Sequence, residues 1–149
     1  MYRLFIILIF FTASCNTLDV FEKTKSFSKH EWESNDAPTF QFQIKDTNAL
    51  YNLYFVIRHE DKYHYKNIWM NIKVQEPDSV YNIKREFILA DNNKWIGSGM
   101  DDVYEQRILF NGLPTKLKKG IYNFTLQQIM REDPLQAVLS AGIRVEKIK

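Results

Sequence analysis

An alternation of apolar and polar residues with a period of two runs through most of this chain, and no stretch of similar length repeats at the helical spacing. Such alternation marks strands that bury one face. Its clearest instance follows Gly120, where Tyr122, Phe124, Leu126, Gln128 and Met130 share a face until Asp133-Pro134 ends the strand. From Thr39, the residues Phe40, Phe42 and Ile44 alternate with Gln41, Gln43 and Lys45. Over 50–59, Tyr51, Leu53, Phe55 and Ile57 oppose Asn52, Tyr54, Val56 and Arg58, a composition that predicts cover on both faces for part of the length. Ile68, Met70, Ile72 and Val74 form the next set, and Tyr81, Ile83, Phe87 and Leu89 the one after it. A short strand over 104–110 and a last one carrying Ile143 and Val145 complete the series. Residues 90–102 read as loop and 134–141 as a helical turn. Turn residues at 46–48, 60–62, 76–79 and 111–114 separate the strands. About seven closely spaced strands without a long helix predict an all-β fold, an antiparallel β-sandwich of Ig-like or jelly-roll-like type over 37–149.

The start of the chain follows another pattern. Arg3 precedes the apolar block Leu4-Phe-Ile-Ile-Leu-Ile-Phe-Phe11, then come Thr12, Ala13, Ser14 and the single cysteine, Cys15. A cation, a short apolar core and a small-residue exit make a secretory signal peptide over 1–14. The apolar block falls short of the roughly 20 residues that span a bilayer. With its cysteine at the cut, the stretch resembles a bacterial lipobox, in which that cysteine is acylated and becomes the first residue. Thr12 stands where the usual pattern has Leu or a similar aliphatic. An ordinary cleaved signal and a buried strand are the alternatives, but acylation would also remove a free thiol from an oxidising compartment. Residues 15–36 then read as a lipid-anchored tether and lead-in that joins the fold near 27–32.

Charge and motif content narrow the function. Twenty Lys and Arg against 18 Asp and Glu leave the chain near neutrality, which argues against a nucleic-acid partner. One cysteine excludes an internal disulfide. The aromatic content of 15% supplies a core. His59-Glu60-Asp61 with His64 is the one cluster of metal-ligand types, but its histidines are five apart across a turn rather than four apart on a helix. Asp101 and Asp102 are adjacent, as solvated loop acids often are. The chain has no G-x-S-x-G, P-loop or dinucleotide fingerprint. The reading is a non-enzyme without cofactor or metal, apart from the lipid on Cys15.

The stretch from Trp95 through Gly97 and Gly99 to Asp101 and Asp102 is the candidate protein-binding loop. Two glycines one residue apart permit positive φ or a close backbone approach. The Trp beside them is either a plug over the end of the sandwich or an exposed anchor for a partner. Gln128, on an apolar face, requires a buried hydrogen-bond partner or marks the end of the core. Arg131 is placed to hold a carboxylate of the 95–102 loop. Tyr54, Trp69 and Tyr81 offer a second reading, an envelope glycan- or ligand-binding module, although Tyr81 alternates with the core set.

Taken in order, several segments resemble the GldH gliding motility lipoproteins of the Bacteroidota. These are the lipoprotein start, Tyr51-Asn-Leu-Tyr-Phe-Val-Ile-Arg58 with Tyr65-Lys-Asn67, and Trp95-x-Gly97-x-Gly99-x-x-Asp102. Gly120-Ile-Tyr-Asn-Phe-Thr-Leu-Gln-Gln-x-Met-Arg131 and Gly142-Ile-Arg-Val-Glu-Lys147 complete the set. The resemblance covers nearly the whole chain. It implies a membrane lipoprotein needed for surface gliding, tied to machinery that moves adhesins and is linked to type IX secretion, with other envelope proteins as partners. It implies no catalytic residue and no cofactor. Asp78-Ser79-Val80 also resembles the short O-glycosylation acceptor of that phylum, with Ser79 as the acceptor. The residues after Cys15 carry no acidic surface-export run, which favours a domain facing the periplasm.

Overall fold

The computed structural model describes residues 20–148 of the chain; the stretch read as a signal peptide, and Cys15, lie outside them. Among the described residues fourteen strands follow one another: β1 (Val20–Ser26), β2 (Glu31–Trp32), β3 (Thr39–Ile44), β4 (Leu50–Glu60), β5 (Asn67–Gln75), β6 (Val80–Ile88) and β7 (Ala90–Asp91). Then come β8 (Lys94–Trp95), β9 (Ser98–Met100), β10 (Val103–Leu109), β11 (Thr115–Lys116), β12 (Gly120–Gln128), β13 (Leu135–Gln136) and β14 (Val138–Ile148). The large sheet has the order β1-β14-β4-β10-β9, with β11 also paired to β4; the small sheet runs β3-β12-β5-β6. All pairings are antiparallel, and the two-residue ladders β2–β13 and β7–β8 stand apart.

The inner faces meet through aromatic rings. Phe21 of β1 lies 5.7 Å from Phe42 of β3, and Phe55 of β4 stacks 4.6 Å from Phe87 of β6. Phe110, just past β10, meets Phe124 of β12 edge-on at 5.7 Å. These contacts join the sheets along their width, which makes the fold the expected all-β sandwich. Ile68, Met70, Ile72 and Val74 are buried along β5, as their alternation requires. Gln128 is buried and has the partners its position demands. Its amide nitrogen reaches the Trp32 carbonyl at 3.3 Å and its oxygen accepts from the Met130 amide at 2.8 Å.

Four readings change. Residues 20–26 already form an edge strand on β14, so the chain joins the sheet before 27–32; alternation there is too weak to show it, because most of β1 faces solvent. Residues 134–141 are not helical: β13 pairs with β2 and β14 begins at Val138. The 90–102 stretch contains β7, β8 and β9 rather than only loop. Its first hairpin turns on Asn92 and Asn93, both at positive φ, as a two-residue type I′ connection requires. Tyr81 lies at the open edge and is 41% exposed, its hydroxyl donating to Glu76, so it is not a core residue.

Candidate functional site

The end of the sandwich that holds the last residues of β4 is closed by rings. His59 is fully buried there. Its Nδ1 hydrogen donates to the Glu60 carbonyl (2.9 Å), leaving Nε2 to accept from the Gln106 amide at 3.3 Å. Gln106 also donates to the Leu89 carbonyl at 2.8 Å, so a buried polar bridge ties β10 to β4 and to the start of β7. Burial pushes the His59 ring below its ordinary pKa, against the weaker opposing pull of the Glu60 carbonyl. The ring is therefore a neutral part of the core.

Trp95 stands edge-on to His59 at 4.6 Å, and its ring lies 6.2 Å from both Tyr63 and Tyr104. It is half-buried. Of its two readings, the capping one describes its packing. Gly97 and Gly99 serve that packing. Gly97 has φ +101°, and a Cβ there would sit 2.3 Å from the Glu105 carbonyl oxygen. At Gly99 a Cβ would lie 2.7 Å from the Tyr104 ring. Asp101 and Asp102 form the β9–β10 turn, where the Asp102 carbonyl accepts from the Asp61 amide at 2.7 Å. Both side chains are exposed. Beside them Met100 is 80% exposed and Ile96 43%.

Arg131 does not join this strip. Among the described residues no ion pair links it to Asp101 or Asp102. It lies where the chain turns from β12 toward β13, and its neighbour Glu132 takes His64 instead, at 3.2 Å. The His59, Glu60, Asp61, His64 cluster likewise spreads apart. His59 faces the rings, whereas His64 lines an open cleft of about 270 Å³ with Lys29, His30, Lys62, Gln136 and Ala137. Among the described residues no group of three or more His, Cys, Asp or Glu side chains is placed to hold a metal ion. Ser79 is exposed in the β5–β6 turn, its hydroxyl donating to Glu76 at 3.2 Å. Tyr54, Trp69 and Tyr81 do not form one row: Tyr54 is on the large sheet, and the other two occupy opposite faces of the small one.

Two features were missed from sequence. His59 and Gln106 sit at inward positions of their strands, and that polar pair in register-compatible places was the available signal. Arg85 occupies the inward position between Ile83 and Phe87. Its guanidinium lies 5.3 Å from the Phe110 ring and donates to the Phe110 carbonyl, closing the side of the sandwich.

Fold and surface together define a class: a small antiparallel β-sandwich that seals one end with aromatic rings and leaves a rim of apolar and acidic side chains in solvent. The chain belongs to the GldH lipoprotein family, whose sequence model matches residues 19–145. It is 26% identical over 153 residues to the protein named gliding motility lipoprotein GldH homolog of Christiangramia forsetii, an alignment covering 97% of this chain and 93% of that one. It is 25% identical over 143 residues to the gliding motility lipoprotein GldH of Flavobacterium johnsoniae, covering 90% and 88% respectively.

Proposed function

We propose that the protein is anchored in the cell envelope through acylated Cys15 and serves gliding motility and the linked type IX secretion machinery as a non-catalytic accessory, its domain facing the periplasm and docking other envelope proteins. The observation that carries this reading is the register of β1. Val20 pairs with Glu146 and Ser26 with Ser140, while Val138 pairs with His59. The chain therefore leaves its amino-terminal segment at one end of β14 and presents the Trp95 rim near the other, roughly 35 Å away for an eleven-residue strand. An anchor at one end leaves the rim free to meet a partner.

Complementation in the native organism tests the anchor. Cells lacking the gene, restored with wild type or with Cys15→Ala, are scored for colony spreading and adhesin secretion. Rescue only by the acylatable form supports the reading, and normal spreading without the gene overturns it. The rim has its own test. Met100→Asp should change stability by less than about 0.5 kcal/mol, as exposed substitutions do, yet fail to restore spreading. Trp95→Ala should lose spreading and stability together. Normal spreading with Met100→Asp would remove the rim from the docking surface.

One observation favours a glycan-binding reading as the second. The outer face of the small sheet carries amide side chains and the exposed Trp69, groups suited to sugar hydroxyls and to stacking. Binding on a neutral glycan array that disappears with Trp69→Ala would favour it. We also propose Ser79 as an O-glycan acceptor, which an unmodified intact mass from native cells would refute.

A further inference from the structure

We propose that the end of the sandwich from which the amino-terminal segment leaves is itself a contact surface for an anionic lipid bilayer, so that the domain stands on the membrane instead of swinging from its tether. This rests on the lipid-anchor reading. Four residues lie between Cys15 and Val20, and the five Cα steps reach at most about 18 Å even when fully extended. That end must then stay within a short distance of the headgroups, and its side chains decide whether it touches them.

The register gathers those side chains. Lys116 pairs with Leu50 beside Ile148, and Gly120 pairs with Ile44, which brings Lys119 next to Lys45. The Lys147–Asp46 ion pair (2.8 Å) ties the two sheets together at this level. Lys45, Lys116 and Lys119 are exposed, and none forms an ion pair among the described residues. Of the nearby acids, Asp46 pairs with Lys147 and Asp78 with Lys118. Glu76 accepts from the Ser79 and Tyr81 hydroxyls, so one acid without an ion pair among the described residues stands against three such lysines. Unneutralised cations therefore dominate the surface. Apolar side chains stand among them, with Leu113 76% exposed, Ile121 50% and Leu50 40%. Lysines attract anionic headgroups over about a Debye length, and apolar groups between them enter the interfacial layer. A protein partner would be met by the same charges, but only the bilayer is guaranteed to lie within reach of Val20.

The test uses the mature protein purified from native cells, whose intact mass shows whether the acyl chain is present. Acylated protein is reconstituted into vesicles, and protein without the chain is added to the same vesicles. Phosphatidylcholine alone is compared with phosphatidylcholine mixed with phosphatidylglycerol, and amide hydrogen exchange is followed along the chain. The expected result is slower exchange over 44–50 and 113–121 in the anionic vesicles only, and no change over 95–102. Combined Lys45→Glu, Lys116→Glu and Lys119→Glu should abolish that protection without altering exchange of the β5 and β12 core. Equal exchange in the two vesicle types, or protection that survives the triple substitution, overturns the proposal. A missing acyl chain would overturn the anchor reading alone, because the exchange comparison does not require it.

Discussion

The two outer faces of the sandwich are both solvated, yet they are built from different chemistry. On the large sheet one chain of ions crosses four strands: Glu146, Arg144, Glu22, Arg107, Glu105 and Arg58. Arg107 holds Glu22 through two bonds of 2.9 Å although two strands lie between them. It can do so because Gly142, in the intervening β14, offers no side chain, and because β1 closes over that position. Val56, beneath the Arg107 side chain, is only 1% exposed. The small sheet instead joins Gln41 to Asn123 at 3.0 Å, Asn123 to Gln75 at 3.4 Å and Asn71 to Gln127 at 3.3 Å. One face fastens an edge strand with ions, whose strength depends on pH and salt; on the other, the links that join β3, β12 and β5 are amides, which do not titrate.

The harshest way to break the contrast is Gly142→Ala. A Cβ there would lie 2.0 Å from the Lys23 carbonyl oxygen and 2.6 Å from the Thr24 Cα, backbone atoms that cannot step aside separately. β1 must lift from β14, which ends the Glu22 bonds as well. A loss of about 3 kcal/mol is expected, with fast hydrogen exchange confined at first to 20–26. Unchanged denaturant stability would show that β1 contributes little to the fold.

Glu22→Gln is the next smaller step. The bonds from Arg107 hold the Glu22 carboxyl below its ordinary pKa; partial burial opposes them and Arg144 adds to them. The unfolded chain therefore binds this proton more readily than the folded one, and acid favours unfolding. The stabilisation is complete above the ordinary glutamate range and is lost as pH falls through the lowered folded value. Wild type should exceed Glu22→Gln by about 1 kcal/mol at neutral pH, the upper range for exposed pairs, and the difference should close in acid and shrink in salt. A difference that persists at low pH would point to packing rather than charge.

This network also shows what could be read from the sequence. Period-two alternation located the long strands, because burial of one face dictates it residue by residue, and Val56 among Phe55 and Ile57 revealed cover on both faces of β4. What covered Val56 was not legible: Arg107 lies 51 positions away, and its reach depends on the empty site at Gly142. β1 was missed for the same reason, its register being set by a partner at the far end of the chain. At the candidate site, Trp95 and its glycines could be picked out from composition. Their role could not, since His59 and Gln106 belong to strands whose pairing only the fold defines. Arg131 failed as a partner of the loop because the turn toward β13 leaves only its neighbour, Glu132, in an ion pair.

The smallest effect should come from the amide face, and it sharpens the comparison most. Asn123 accepts from Gln41 and donates to Gln75, so Asn123→Ala removes both links. Neighbouring water can replace each of them, because Gln41 and Gln75 are exposed. A cost of about 0.5 kcal/mol is expected. It should be the same in high salt and from neutral pH down through the carboxylate range, because an amide does not titrate there. Measured beside Glu22→Gln under identical conditions, it provides the flat reference against which the ionic face must curve. If the Asn123→Ala cost itself varies with pH, the amide links are coupled to titrating groups such as Glu86 on the same face, and they cannot serve as that reference.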